Sequence, residues 1–481
     1  MSHINHLVSL SRDQREEICS AAIGVLEETG IAIHSPQALD VLSQAGARTT
    51  GNHVYLPDSL IETALGAAPS SFTLYAREDE SKNIEIELQG VHFGPSITAT
   101  HVIDPHTGER RPFYRDDAVS VARVCEDLAH IDYVAAQGTI SDVHPELVEV
   151  YEFAILLGHS SKPVMAWSNT LVGCRDVHRI ASRVAGSRDR LAERPTYFFL
   201  GCSISPLTIP GEVADQLIYC AQHGIPFVFG PCPMCGATTP STLASTLVVA
   251  TAESLAALAL AQTVRPGTPF VIGGSLGTMD MRWATMPYGA PEMSLLCVAE
   301  TAIAHDLGLP AWSTAGVSDA KVVDKQAAME GAMSVVMAGL SGADLIHNVG
   351  FIEGCLTGSL EQLIMMDEAI GYTKRVLRGI DVTPETLALD WIAQMGPGGS
   401  FLRTEHTLRH FRDEFWYPTL FDRRTREAWQ LSGRPSMDDR VQARLDDLLD
   451  GNPDPLLDPD IQADIEKILA AAERRVGTIE H

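Results

Sequence analysis

Eight short apolar runs, most of them separated by longer stretches of helical spacing, dominate the middle of this 481-residue chain and leave few folds open to it. The runs cover 91–96, 133–140, 163–169, 196–203, 226–230, 269–275, 310–314 and 345–349. They are rich in Val, Ile and aromatic residues and apolar on both faces, the pattern of parallel strands buried between a core and a helical shell. The segments 116–130, 146–158, 211–223, 291–305 and 323–340 repeat apolar residues at helical intervals. Several runs follow an x-Pro break of the kind that ends a helix. Eight such repeats predict an α/β chain closed into a (β/α)8 barrel. An open doubly wound sheet is the alternative, but the chain has neither a Gly-x-Gly-x-x-Gly turn nor a Gly-x-x-x-x-Gly-Lys-Ser/Thr loop.

The flanks divide the chain into a helical N-terminal region (1–83), the barrel (84–379) and a C-terminal helical extension (380–481) packing on it. A helix over 12–28 places Ile18, Ala21, Ala22, Val25 and Leu26 on one face, with Ser11 and Gln14 as a capping box. A second, over 36–44, is opened by Ser35 and closed by Gly46. From Ile84 to Phe113 short alternating runs suggest strands, with Asp104-Pro105-His106-Thr107-Gly108 turning a hairpin. Beyond Ile380 the βα rhythm stops. Gly396-Pro397-Gly398-Gly399 is a loop, and the charged helical tail after it carries Trp416, Tyr417, Trp429 and an acidic stretch over 446–460.

Charge and composition exclude several function classes. Thirty-five Lys and Arg against 62 Asp and Glu give a net charge of −27, which disfavours nucleic acid as a partner. Nine scattered cysteines form no disulfide framework and fit a reducing, cytoplasmic setting. The first ten residues lack the basic and apolar regions of a secretory leader. The nearly uncharged stretch 242–263 contains Glu253, Ser245, Thr246, Thr251 and Ser254, so a buried helix explains it better than a membrane span.

An α/β barrel holds its active site at the C-terminal ends of the strands. Those positions are Gln137, Trp167, Ser168, Asn169, Cys202, Ser203, Cys232, Ser275, Trp312, Ser313, Thr314, Asp319, His347, Asn348 and Phe351. They are small polar groups and aromatics with few charges and no phosphate cradle. Cys232-Pro233-Met234-Cys235 has the spacing of a zinc or redox pair, but further ligands would have to come from distant Cys202 or His347. Buried small side chains are the simpler reading, and no metal is expected. Asp104-Pro105-His106-Thr107-Gly108 is close to an Asp-x-His-x-x-Gly cobalamin loop, yet its glycine comes one residue early. His347 could position a substrate, act as acid or base, or simply be a hydrogen-bonded barrel histidine. Asp319 and Lys321 could bind a polar substrate or form a loop ion pair. Trp167, Trp312 and Phe351, with Trp283 and Tyr288 in the loop after Ser275, could cage a quaternary ammonium by cation–π attraction or could only pack the core.

Several segments carry a resemblance in their order and spacing: Leu26-Glu27-Glu28-Thr29-Gly30-Ile31; Ala315-Gly316-Val317-Ser318-Asp319-Ala320-Lys321 with Asp324, Gln326 and Glu330; 340–354; Gly396-Pro397-Gly398-Gly399 with His406-Thr407; and Trp416-Tyr417-Pro418-Thr419-Leu420-Phe421-Asp422-Arg423. Nearly end to end, the chain resembles the trimethylamine methyltransferase family of corrinoid-dependent methyltransferases. The resemblance implies a TIM barrel that moves a methyl group from a methylated amine to the Co(I) corrinoid of a separate carrier protein, with no cofactor bound tightly by the chain itself. Only standard residues are present, so the chain is similar to the branch without pyrrolysine, associated with quaternary amines such as glycine betaine. Co(I) is a strong nucleophile and a quaternary nitrogen a good leaving group, so the protein's task is orientation. On strand-end geometry, His347 and Asn169 are assigned catalytic roles. Trp167, Trp312 and Phe351 are assigned to the cation, and Lys321, Asp319 and Gln137 to the remainder of the substrate. The competing readings are a zinc-dependent barrel methyltransferase or hydrolase using Cys232 and Cys235, and a betaine-binding protein without turnover. A homo-oligomer is compatible with a large barrel.

Overall fold

Parallel staves only a few residues long cannot stand alone, and here they close on one another. In the computed structural model, which describes residues 7–451 and 456–479, the regular staves are His92–Phe93, Val164–Ala166, Tyr197–Gly201, Phe227–Phe229, Phe270–Ile272, Trp312–Thr314 and Leu345–His347. Residues 1–6, part of the stretch read for a leader, and 452–455 of the acidic stretch lie outside the described residues.

The 133–138 segment completes the ring as an eighth, irregular stave. The Asp132 amide donates to the Phe93 carbonyl at 2.7 Å, and Val134 bridges Val164 in parallel. At its upper end Gln137 takes φ +65°, which breaks the ladder. From Val164–Ala166 the parallel pairing runs through Tyr197–Gly201 and Phe227–Phe229 to Phe270–Ile272. It continues by the Ile272 to Ala311 bridge, then from Trp312–Thr314 to Leu345–His347, which pairs with His92–Phe93 and closes the barrel.

The helices follow from the apolar spacing. Gly211–His223 and Pro291–Asp306 coincide with the periodic segments read from sequence, and Arg12–Glu28 opens with the Ser11/Gln14 capping box. The Asp104 turn joins His101–Ile103 to Arg110–Pro112 as an antiparallel hairpin. Leu243–Val264 is long and apolar enough to cross a membrane, but 72% of its apolar window is buried inside the protein.

Two features of the N-terminal region depart from the helical reading. Ile31–Ile33, Arg48–Thr50 and His53–Tyr55 form a small sheet joined by Thr208–Ile209 from a barrel loop. The antiparallel hairpin Ser71–Leu74/Ile84–Glu87 enters the lower end of the barrel. There Leu74, Ile84 and Ile86 pack on Tyr133, Met165, Phe198, Val228, Val271, Trp312 and Leu345. A boundary between residues 83 and 84 would cut this hairpin, so the N-terminal region and barrel share one core.

In the C-terminal extension, Met437–Leu449 packs on Arg115–Asp127 and Leu360–Leu377, while Pro459–Ile479 packs on Leu171–Ala185 and Val148–His159. Between Leu360–Leu377 and these docked parts run Pro384–Leu387, Leu389–Met395, Glu405–Glu414 and Arg426–Leu431, helices without a buried residue.

Candidate active site at the barrel mouth

Alternation along Leu345–His347 points Leu345 into the lower core and His347 into the lumen above it. His347 lies flat on Trp312, with ring centroids 4.3 Å apart at 11°. Its Nδ1 is 2.7 Å from the Ser313 carbonyl oxygen, which can only accept, so Nδ1 carries the proton. Nε2 is thereby left as an acceptor, 3.3 Å from the Ser275 hydroxyl. Burial lowers the imidazole to about 3, so His347 is neutral at physiological pH and provides a hydrogen-bond acceptor, not a proton.

The loops above the staves are pinned from behind by carboxylates carried on the helical shell. Glu152 accepts from the Ile140 amide (3.0 Å) and the Trp167 indole (2.9 Å). Glu149 accepts from the Ser168 hydroxyl and the Asn169 amide. Glu253 accepts from Ser203, Ser205 and the Leu207 amide. Glu300 takes the Gly274 amide at 3.0 Å, and Glu330 the Ser318 hydroxyl and Asp319 amide. A carboxylate accepts several donors at once and so fixes loop backbone that has no ladder partner.

Burial pushes Glu152 and Glu300 up to about 8. A carboxyl raised in the folded state favours folding fully below its unfolded value, and that contribution is lost as pH rises from about 4.5 through 8. Glu300 accepts one amide, a bond that a glutamine oxygen can keep. Glu300→Gln is therefore expected to stabilise the protein by roughly 2–4 kcal/mol at pH 8.5 and to change little at pH 5. Denaturant titrations at both pH values check this, and an effect independent of pH would refute it. His347 has the opposite sign: its contribution is present above about pH 6.5 and lost as pH falls toward 3.

The assigned residues occupy different layers. Trp312 is 2% exposed and has Tyr133, Phe198 and His347 as ring neighbours. Phe351 is fully buried with Ala99, Val317, Cys355 and part-buried Tyr288. Trp167 is half-buried, its indole nitrogen turned to Glu152. No ring contact joins any two of these three among the described residues, so the structure does not assemble them into one cage. Trp312 is drawn into the lumen by strand alternation, whereas Phe351 starts a separate hairpin, Phe351–Ile352/Thr357–Gly358.

Gln137 is wholly buried and donates to the Gly350 carbonyl at 2.9 Å. A Cβ on Gly350 would meet its amide nitrogen at 2.5 Å, so it fills a slot in the mouth wall. Asp319 accepts from the Tyr288 and Gly289 amides at 2.9 and 2.8 Å, again holding a loop. Lys321 is exposed and reaches the Asp319 carbonyl oxygen at 2.6 Å, so the expected ion pair is a lysine–backbone contact instead. Asn169 is exposed on the rim, and its side chain makes no hydrogen bond among the described residues.

The cysteine spacing also resolves differently from its appearance in sequence. Cys232 is solvent-exposed and faces Cys202 on the neighbouring stave, whose thiol lowers that of Cys232 and is itself pushed up. Cys235 turns to the Pro240 carbonyl at 3.5 Å. Among the described residues no three His, Cys, Asp or Glu side chains gather as a metal set. Beside this pair, Tyr288 contacts Ser275 and Cys355, and burial raises its phenol well above the usual value.

Strand-end reasoning reached His347 and Ser275 but missed Glu149, Glu152 and Glu300, and it placed Trp312 at the wrong end of Trp312–Thr314. The only sequence signal of the three glutamates is a carboxylate set among apolar neighbours, Glu149 and Glu152 in Val148–His159 and Glu300 in the middle of Pro291–Asp306.

Comparison with known proteins agrees with this architecture. The crystal structure of the Methanosarcina barkeri monomethylamine methyltransferase, MtmB, superposes with a TM-score of 0.54 at 13% identity, covering 93% of this chain and 90% of that one, which establishes a shared fold. The family profile described as trimethylamine methyltransferase (MTTB) matches residues 1–477. The trimethylamine methyltransferase MttB of Desulfitobacterium hafniense (strain DSM 10664 / DCB-2) is 32% identical over 98% of this chain and 95% of its own length. The glycine betaine methyltransferase of D. hafniense (strain Y51) is 31% identical over 97% and 98%. With the barrel, its mouth and matches of this extent in agreement, the chain belongs to the trimethylamine methyltransferase family and is a methyltransferase.

Proposed function

We propose that the enzyme takes a methyl group from a quaternary amine, glycine betaine or a related betaine, and delivers it to the Co(I) corrinoid of a separate carrier protein docked at the barrel mouth. The observation that carries this reading is the neutral His347, buried against Trp312 with only an acceptor nitrogen free. When bound, the corrinoid supplies the nucleophile. A quaternary nitrogen losing a methyl group departs as a neutral amine and needs no proton. A tertiary amine leaves in the same way only with a proton at nitrogen, which it has to bring with it as the ammonium ion, because a neutral imidazole gives none.

The chain's own residues then orient the substrate. Trp312 and His347 floor the site, Tyr288 and Phe351 form part of the wall, and Trp167 contributes at the stave beside Glu152. Aromatic faces favour a cation. Asn169 and Lys321 on the rim are suited to the betaine carboxylate, while Gln137 and Asp319 hold the wall in shape.

The test is loss of the Co(I) absorbance when glycine betaine, proline betaine, carnitine and trimethylamine are offered separately to the purified enzyme. The expected result is consumption with a quaternary amine and none with trimethylamine. Consumption with trimethylamine alone would overturn the proposal.

A further inference from the structure

Alternation along the staves sends one column of side chains from each into the lumen. Phe198 and Leu200 stand in that column on Tyr197–Gly201, and Val228 on Phe227–Phe229, since all three pack in the lower core. Two residues further up, the same columns carry Cys202 and Gly230, and two beyond Gly230 comes Cys232. The parallel register sets Gly201 beside Phe229, and the Gly230 amide donates to the Gly201 carbonyl at 2.9 Å. Cys202 and Gly230 are therefore level.

Glycine at 230 is what lets two thiols meet. A Cβ there would lie 3.6 Å from the Cys202 sulfur, and the Cys232 sulfur lies 3.7 Å from the Gly230 carbonyl oxygen. The two sulfurs flank one residue that has no side chain to part them, and they are in hydrogen-bond contact. No other cysteine pair combines contact with access. Cys235 is buried and turned to the Pro240 carbonyl. Cys174 and Cys220 also touch, but they are 1% and 0% exposed between Leu171–Ala185 and Gly211–His223, out of reach of a solute. Cys232 is exposed and Cys202 half-buried, so a small reagent in the mouth reaches this pair. The contact also selects the attacking sulfur: it lowers the Cys232 thiol and raises that of Cys202, and the thiolate is the form that reacts.

We propose that Cys202 and Cys232 form a dithiol site that a hydroperoxide converts reversibly to a disulfide, and that the disulfide shuts down methyl transfer at the barrel mouth. The Cys232 thiolate attacks the hydroperoxide and breaks its O–O bond, becoming a sulfenic acid while the other oxygen leaves as water or an alcohol. The Cys202 sulfur then attacks the sulfenic sulfur, the S–S bond forms, and the hydroxyl leaves as water with the Cys202 proton. Two thiols lose two electrons and two protons, and the peroxide takes up both. A Cys232 sulfur drawn to Cys202 gives up the bond it accepts from the Ser275 amide. Pro231, next to Cys232, lies against Gly274, so the same movement shifts Ser275 and the hydroxyl that meets His347. The bond itself rests on the two staves alone, and its effect on turnover rests on the reaction proposed above. Chemically the two belong together, because oxidants that form the bond also consume Co(I).

The test treats the purified enzyme with hydrogen peroxide, then denatures, alkylates and mass-analyses it. Two fewer alkylated thiols than in the reduced protein are expected, with one peptide pair joined through Cys202 and Cys232 and both thiols recovered by dithiothreitol. Methyl transfer is expected to fall by about tenfold or more on treatment and to return with the reductant. Cys235→Ser is expected to form the same link, and Cys202→Ser to form none. A link through Cys235, a link between Cys174 and Cys220, or no link at all overturns the inference. A linked enzyme that turns over at the reduced rate overturns the shutdown of the site. The thiol count needs no corrinoid, so an enzyme that demethylates none of the amines offered fails the proposed function and leaves the dithiol site standing.

Discussion

Gly274→Ala is expected to abolish methyl transfer and to destabilise the protein by about 3 kcal/mol or more, at the upper end of overpacking costs. A Cβ at this position would lie 1.9 Å from the carbonyl oxygen of Pro231 and 2.9 Å from its carbon, both backbone atoms that cannot rotate aside. Its neighbour Gly273, at φ +120°, would place a Cβ 2.2 Å from the Trp312 carbonyl oxygen. The top of Phe270–Ile272 is thus threaded between the adjoining staves with no room for a side chain. Displacing it also breaks the Gly274 amide bond to Glu300 and moves Ser275, whose hydroxyl meets His347. Gly66→Ala in the helix Asp58–Ala67 is the control: a Cβ there meets nothing within 4 Å, and a gain of up to about 1 kcal/mol is expected. Denaturant titration and the methyl-transfer assay read both variants, and a fully active Gly274→Ala enzyme would show the mouth to be more pliable than its geometry implies.

Trp312→Ala is expected to cost about 3–5 kcal/mol, the range for removing a large buried aromatic side chain. Beyond the cavity, it removes the surface on which His347 lies and the contacts to Tyr133 and Phe198, with centroids at 6.3 and 5.9 Å. A histidine without that floor loses its alignment to Ser275, so activity is expected to fall more than tenfold even below the unfolding temperature. Trp312→Phe keeps an aromatic floor and should recover most of both losses. A variant that loses stability but keeps wild-type kcat/KM would remove Trp312 from the site and leave it as packing alone.

The barrel was legible because burial on both faces and helical spacing are local properties, and each stave carries its own signal. Even the 133–138 stave, whose ladder breaks at Gln137, was marked by Tyr133, Val134 and Ala135. The hairpin in the lower lumen was not, because residues 71–74 and 84–87 declare a pairing only once the barrel core exists to receive Leu74 and Ile86. The site shows the same division. His347, the last residue of its stave, follows from the rule that barrel chemistry gathers at strand ends, whereas Trp312 opens its stave and meets His347 from below. The glutamates do not follow from that rule, since each meets its donors across the fold: Glu300 is 26 residues from Gly274, and Glu253 is 50 from Ser203. Cys232 was matched by spacing to Cys235, yet its partner is Cys202, brought alongside by the parallel pairing of Tyr197–Gly201 with Phe227–Phe229. Of the aromatic residues assigned to strand ends, Trp167 follows its stave, whereas Trp312 is the first residue of Trp312–Thr314 and Phe351 opens a separate hairpin.

The hairpin Ser71–Leu74/Ile84–Glu87 stoppers the barrel from below, so the lumen is a vessel with a single door. In the reaction proposed for this enzyme, a small amine and a bulky carrier use that door in turn. The amine has to enter before the carrier sits down, and the demethylated product is confined until the carrier lifts away. Order of binding is then dictated by architecture and not by affinity, and a carrier that arrives early is an inhibitor of the very enzyme it serves.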